Sequence, residues 1–206
     1  MSRALLSLVL LLTALAPASV PAQGIQRITA AGQKDMLANP GTESAGAPNA
    51  DVTIVEYFDY NCPYCKQLPP EFRSLLAADH KVAIVYKEWP IFGGVSVYAA
   101  TAALAAGWQG KYLLAHDTLM NGPHWSDDDQ VDAALQAAGI DTSRLAQDRV
   151  SHAAEIEALL RRSGTEARAL NLRGTPGLVV GRQILPGTVD LRELKRLVAN
   201  ARRQDG

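Results

Sequence analysis

Cysteine is scarce in this chain: two residues in 206, Cys62 and Cys65, both inside one four-residue cluster. A structural disulfide in an exported protein usually joins distant segments. This pair would close a tiny loop and constrain the unfolded chain little, which argues against a disulfide-stapled scaffold and points the two sulfurs toward chemistry. An excess of charge of one sign is also missing. Twenty Lys and Arg face 21 Asp and Glu, for a formal net charge of −1, so there is no electrostatic case for nucleic acid or an anionic membrane surface. The sequence has no run of basic residues, zinc-finger spacing, P-loop, internal repeat or low-complexity tract. Long apolar runs are absent too. Leu5 to Leu15, broken by Ser7 and Thr13, falls short of the ~20 apolar residues a membrane crossing needs.

Hydrophobic residues make up 48% of the chain and charged residues 20%, enough for one ordinary domain with a real core. The N-terminus reads as an export signal. Arg3 opens it, the Leu-rich run follows, and Val20-Pro21-Ala22 offers small residues at a cleavage site before Gln23. The expected organisation is a signal peptide over 1–22, an irregular lead-in over 23–50 with a short helix near Gln33–Leu37, and one domain over 51–206. No cysteine follows the cleavage site, so a lipoprotein anchor is not expected.

Within the domain, Asp51 to Asp59 is a strand, apolar on both faces as a central covered strand should be. A helix opens near Cys62 with Pro63 in its first turn. Pro69-Pro70 should kink or break it, and it resumes from Glu71 to about His80. Val82 to Trp89 is a second strand, parallel to the first through a right-handed crossover. From Val95 to about Leu170 the pattern is helical: 95–107, 110–121, 127–138 and an interrupted 142–170. Ser126 is the expected N-cap of the third of these, and Asp127-Asp128-Asp129 its acidic start. Gly177 to Val180 and Gln183 to Leu185 form a hairpin, and an amphipathic helix runs from Asp190 to about Arg203. The order is β-α-β, a helical block, then β-β-α.

A Cys-x-x-Cys at a helix N-terminus has a physical rationale. Unsatisfied N–H groups and the positive end of the helix dipole favour thiolate over thiol. Cys62 is then the nucleophile, and Cys65, one turn on, resolves the mixed disulfide. A zinc site wants about four ligands, and haem attachment wants His where Lys66 stands. Cu(I) on two thiolates stays chemically open; extra Met or His ligands would favour it, and none lies within ten residues of Cys62. Glu56 sits inside the apolar strand, where a carboxylate is costly without a partner or a task; the functional reading is a proton acceptor beneath the dithiol. Lys87 and Glu88 end the second strand and are taken as a solvated pair. Gly174-Thr175-Pro176-Gly177 is a turn that invites a cis bond before Pro176 and exposes the Thr175 backbone to an extended substrate.

The stretches VTIVEYFDYNCPYCK (52–66), YKEWPIFGG (86–94), GTPG (174–177) and VVGRQILPG (179–187) resemble the DsbA-like branch of the thioredoxin superfamily, copper-sensitivity-suppressor thioredoxins included. The resemblance implies an α/β thioredoxin fold with an all-helical insertion between the second and third core strands. It makes Cys62 the exposed attacking thiol, Cys65 its buried partner and Glu56 the buried acid. Thr175-Pro176 becomes the cis-proline loop that touches substrate, and Pro63-Tyr64 the tuning dipeptide. Well-known oxidases carry Pro-His there; Tyr64 adds no cation, which implies a less extreme thiolate and a less oxidising disulfide. Relatives often carry a larger residue at 177 and Phe at 178, where this chain has Gly and Leu. The expected function is a periplasmic dithiol oxidase acting on exported proteins with thiols. A redox partner restores the pair, and no cofactor or metal is needed beyond the Cys62–Cys65 disulfide. An isomerase or reductase and a Cu(I)-handling protein are the alternatives.

Overall fold

A computed structural model describes residues 26–38 and 43–205; the expected export signal and its cleavage site lie outside them. In chain order the elements are β1 (Gln26–Arg27), α1 (Ala30–Leu37), β2 (Ser44–Gly46), β3 (Val52–Phe58), α2 (Leu68–Ala78), β4 (Val82–Glu88), α3 (Gly94–Ala106), α4 (Tyr112–Asn121), α5 (Asp128–Ala137), α6 (Thr142–Ser151), α7 (Ala153–Ala169), β5 (Gly177–Val180), β6 (Gln183–Pro186) and α8 (Leu191–Asp205). The strands form one sheet in the order β1-β6-β5-β3-β4-β2. β3 and β4 run parallel, and every other pairing is antiparallel. This is a thioredoxin-like sheet with five helices, α3 to α7, inserted between β4 and β5.

The period-2 alternation of β3 divides the molecule. Val52, Ile54 and Phe58 enter the larger core, shared with α2, α8 and the inserted helices, while Val55 and Tyr57 enter a smaller core with Met36 of α1 and Ala167 of α7. Both faces of β3 are covered, hence its unbroken apolar sequence. In α8, Leu194, Leu197, Val198 and Ala201 are buried, the stripe of an amphipathic helix lying on a sheet. The alanine-rich α3 is buried around most of its circumference from Ala99 to Ala106, so small side chains let several helices approach it.

Several expectations are corrected. The lead-in is part of the fold: β1 pairs with β6 and β2 with β4, extending the sheet at both edges. The β2 edge is hard to read because its close approach depends on Gly46. At φ +95°, a Cβ there would lie 2.5 Å from the Val82 carbonyl oxygen. Pro69-Pro70 do not interrupt an established helix. A 3₁₀ turn over Cys65–Gln67 leads into α2, and the prolines sit in the first turn of α2, where missing N–H groups cost little. Asp127, not Ser126, caps α5, its carboxylate accepting from the Gln130 N–H. Lys87 and Glu88 are not a solvated pair. Lys87 is 3% exposed and donates to the Met36 carbonyl (2.8 Å) and to Glu166, whereas Glu88, buried on the opposite face, accepts from the Tyr112 hydroxyl.

Candidate active site

β3 delivers the chain to the surface end of the sheet, and Cys62 opens the helical path that becomes α2. The Cys62 carbonyl accepts from the Lys66 N–H (3.2 Å), and its Sγ from the Cys65 N–H (3.4 Å). The sulfur thus stands where an N-cap oxygen would. From across the loop, the Cys62 thiol donates to the Thr175 carbonyl at 3.2 Å. The Thr175–Pro176 peptide bond is cis, with Pro176 buried and Thr175 half-buried. The structure therefore brings Cys62, Cys65, Thr175 and Pro176 together, with Pro63 and Tyr64 exposed beside them; Tyr64 is 60% exposed. Both cysteines are free thiols. Cys62 departs from expectation in one respect: it is 1% exposed, covered rather than open, in the reduced protein.

The two sulfurs are electrostatically unlike. Cys62 is pulled down to about 6 from 9.0, first by the hydrogen bond from the Cys65 thiol, against burial, with help from the backbone N–H groups of Cys65 and Tyr64. Burial, the Cys62 hydrogen bond and the Glu56 charge push the Cys65 thiol far up. At neutral pH the site holds one thiolate and one thiol. Glu56 is 2% exposed, on the same face of β3 as the dithiol. Its Oε1 has no hydrogen-bond partner among the described residues. Burial, and then the Cys62 charge, hold its carboxyl well above the usual range. Lys66, half-buried, donates to the Leu119 carbonyl (2.9 Å) and lies over the Trp125 ring. Burial lowers it to about 8, while Cys65, Asp59 and Cys62 work to keep it charged.

Asp59 and Asn61 hold the loop, and sequence reasoning assigned them no role. Asp59, 1% exposed, accepts from the Asn61 N–H and the Ser96 hydroxyl through Oδ1, and from the Ile91 and Phe92 N–H groups through Oδ2. Asn61 exchanges two hydrogen bonds with the Trp125 backbone. The available signal was position: polar residues just past the end of a covered strand must satisfy the loop's own amides. The rim they fix is apolar, with Phe92 55% exposed next to Ile91. Gly177 accommodates Leu172, because a Cβ at 177 would meet Leu172 Cδ1 at 2.4 Å.

A dithiol at a strand-to-helix turn, faced by a cis-proline loop on this sheet, defines a protein of the thioredoxin class. Comparison narrows it: residues 53–199 match the DsbA-like thioredoxin domain, and the chain belongs to that family. Among solved structures it is similar to a thioredoxin-like oxidoreductase from Silicibacter pomeroyi (39% identity, TM-score 0.79, covering 82% of this chain and 97% of that one). It is also similar to the thiol-disulfide exchange protein alpha-DsbA2 from Wolbachia pipientis (26%, 0.76, 82% and 92%). A third likeness is to a periplasmic thioredoxin-like protein from Salmonella enterica serovar Typhimurium (28%, 0.72, 85% and 98%). The curated sequences it matches are Na(+)/H(+) antiporters. One from Salinispora arenicola is 42% identical over 78 residues, which is 36% of this chain and 12% of the antiporter, and the chain spans 26% of one from Mycolicibacterium gilvum. It thus spans about a quarter or less of the curated relatives it matches.

Proposed function

We propose that the protein is a thiol–disulfide oxidoreductase working as a dithiol oxidase on exported proteins in the periplasm. The observation that carries the reading is the asymmetry of the pair: Cys62 down to about 6, Cys65 pushed far up by burial. In the oxidised protein a substrate thiolate attacks Cys62 Sγ, the Cys62–Cys65 bond breaks, and Cys65 leaves with the electron pair and takes the proton held by Glu56. The substrate's second thiolate then attacks its own sulfur in the mixed disulfide, and Cys62 leaves as a thiolate, stabilised where it stands. Two electrons pass from the substrate to the pair. A partner carrying a more oxidising disulfide must restore it.

Ionised Cys62 no longer donates to the Thr175 carbonyl, leaving that acceptor for an extended substrate strand. The apolar rim at Tyr64, Ile91 and Phe92 suits unfolded chains. Export is supported by the N-terminal sequence and by the periplasmic relative; no helix among the described residues is long and apolar enough to cross a membrane. No cofactor is required.

The test is the reduction potential of Cys62–Cys65, by equilibration with glutathione. A potential more oxidising than about −200 mV lets the pair donate its disulfide against the poise of an oxidising compartment. A value near about −270 mV marks a reductant and sinks the oxidase reading. With Cys62 at about 6 and no cation at Tyr64, the expected value is less oxidising than the ~−120 mV of the strongest dithiol oxidants.

A further inference from the structure

The inserted helices enclose a concavity far from the dithiol. One wall is a single face of α7: Glu155, Ala158, Leu159 and Arg162 follow the three- and four-residue spacing of one helix face. The other wall is the connection from α3 to α4, with Leu104, Gly107, Trp108 and Tyr112. Glu43, just before β2, closes one side. The volume is about 580 Å³, within the ~300–1,000 Å³ usual for small-molecule sites. Both helices separate this space from the sulfurs. α3 meets the dithiol loop at its first turn, where Ser96 donates to Asp59, and the cavity at its last. α4 holds Lys66 by carbonyls at its end and lines the cavity with its first residue. A helix of 13 residues, as α3 is, runs ~20 Å.

Two properties of the lining select a ligand. The first is an apolar, aromatic floor. Leu104 and Tyr112 are buried, and Trp108 and Leu159 half-buried. The Tyr112 hydroxyl is spent on Glu88, and one face of Trp108 is covered by the His152 ring at 3.9 Å. Alanine at 158 leaves space that a larger side chain would fill. In an otherwise close-packed protein, such a concavity gains by taking up an apolar body. The second property is an unequal charge at the mouth. Arg162 is already engaged: its Nε donates to Glu166 (3.1 Å) and its Nη2 to the Asp35 carbonyl (3.3 Å). Glu155 is exposed and meets His152 at 3.5 Å. Glu43 Oε1 lies against the turn after α3, 3.7 Å from where a Gly107 Cβ would stand. Its charge reaches the buried Glu88, which is raised to about 7, first by burial and more weakly by Glu43, against the Tyr112 hydrogen bond. Two carboxylates therefore face the cavity, against one guanidinium that a third carboxylate neutralises.

We propose that this cavity binds a small organic cation with an apolar body, of the arylalkylamine class. The apolar body lies on Leu104, Tyr112 and Leu159, and the ammonium sits between Glu43 and Glu155, beside the Trp108 ring. Coulomb attraction and the ring quadrupole both favour a cation there, while the floor excludes a bare, strongly hydrated ion. The site is independent of the dithiol and of the oxidase reading.

Three ligands of one shape and different charge make the test: phenylbutylamine, phenylbutanol and phenylbutyrate. Each is titrated into the purified protein at neutral pH and low salt, and backbone and indole N–H shifts are followed by NMR. The amine should bind with a Kd on the order of 1 mM, within reach of a ligand of about eleven heavy atoms. It should shift Leu104, Trp108 and Leu159 and leave Ile91 and Phe92 in place. It should bind at least about threefold more tightly than the alcohol, the scale of an exposed ion pair, and more tightly still than the carboxylate. Added salt should narrow both differences. Glu43→Gln should weaken the amine about threefold and leave the alcohol unchanged. Ala158→Trp fills the cavity from an exposed position on α7. It should abolish amine binding without moving the thiolate titration of Cys62. If that variant does not fold, Ala158→Met, a good helix former, fills part of the space and should weaken the amine and the alcohol together. An alcohol that binds as tightly as the amine overturns the assignment to a cation. A carboxylate that binds more tightly hands the site to Arg162 and overturns it as well. Shifts confined to Ile91 and Phe92, or no saturable binding of the amine, overturn the site itself.

Discussion

Two cysteines three positions apart end up in opposite protonation states because their surroundings differ, not their chemistry. Cys62 Sγ faces donors, whereas Cys65 faces an apolar core and an acid. Lys66 adds the cation that Tyr64 does not supply. Its ammonium is held by the carbonyls of Leu119 and Met120 at the end of α4, and the electrostatic pull between it and Cys62 is mutual. A cation near a thiolate favours the charged form, so removing it should raise Cys62. Lys66→Gln keeps a donor for the carbonyls but loses the charge; it should lift Cys62 from about 6 by up to about one unit and make the disulfide less oxidising. Lys66→Arg should leave the titration near wild type. Thiolate absorbance against pH separates them: equal curves for Gln and Arg would mean that Lys66 only fastens α4.

At the scale of elements, the site is a junction of loops tied by one carboxylate. Asp59 ends β3 and binds the loop before α3 at Ile91 and Phe92, the first turn of α3 at Ser96, and the dithiol loop at Asn61. Hydrogen bonds to a charged group contribute about 1.5–3 kcal/mol each, far from additively. Asp59→Ala should therefore cost about 3–5 kcal/mol and loosen the Ile91–Phe92 rim, while Ser96→Ala should cost about 1 kcal/mol. Denaturant unfolding measures the first effect, and hydrogen exchange at the Ile91 and Phe92 amides the second. Which of these elements could be read in advance follows from how local their causes are. β3 declares itself by seven consecutive residues suited to a covered strand, and the inserted helices by their own periodicity. The dithiol needs only its spacing and a helix start. By contrast, β1 and β2 exist only because partners arrive from more than a hundred and about forty residues away, at Gln183–Ile184 and Ala83–Val85. The burial of Lys87 depends on Glu166, 79 positions on, and the cover over Cys62 on Thr175, 113 positions on. Such pairings leave no mark in a local window.

For the molecule as a whole, the ionisation of one sulfur becomes a difference in fold stability between redox states. In the reduced protein Cys62 titrates at about 6, against 9.0 for an unperturbed thiol. Where the unfolded chain binds a proton that the fold does not, rising pH favours the fold. The contribution is therefore fully present above about pH 9, shrinks as pH falls, and is gone below about pH 6, at about 1.4 kcal/mol per pH unit between. The oxidised protein has no Cys62 thiol and lacks the term, and its two-residue loop adds little by constraining the unfolded chain. Reduced protein should therefore outlast oxidised protein in denaturant most clearly near pH 9, with the gap closing toward pH 5; above about pH 9 the Cys65 thiol, which the fold keeps protonated, works against the reduced state. Glu88, raised by burial, weakens the two states alike as pH rises and cancels from the difference, whereas Glu56, raised by burial and then by the Cys62 charge, is raised further in the reduced protein and takes something from the gap. Denaturant unfolding of both redox states at several pH values measures the gap directly, and Cys62→Ser, which forms no disulfide and holds no Cys62 thiolate, should lack the pH-dependent term of the reduced protein. A gap independent of pH would mean that Cys62 carries no thiolate. A gap that opens with pH ties stability to the proposed chemistry: the fold that favours the Cys62 thiolate disfavours its own disulfide to the same extent, and so makes that disulfide the more oxidising.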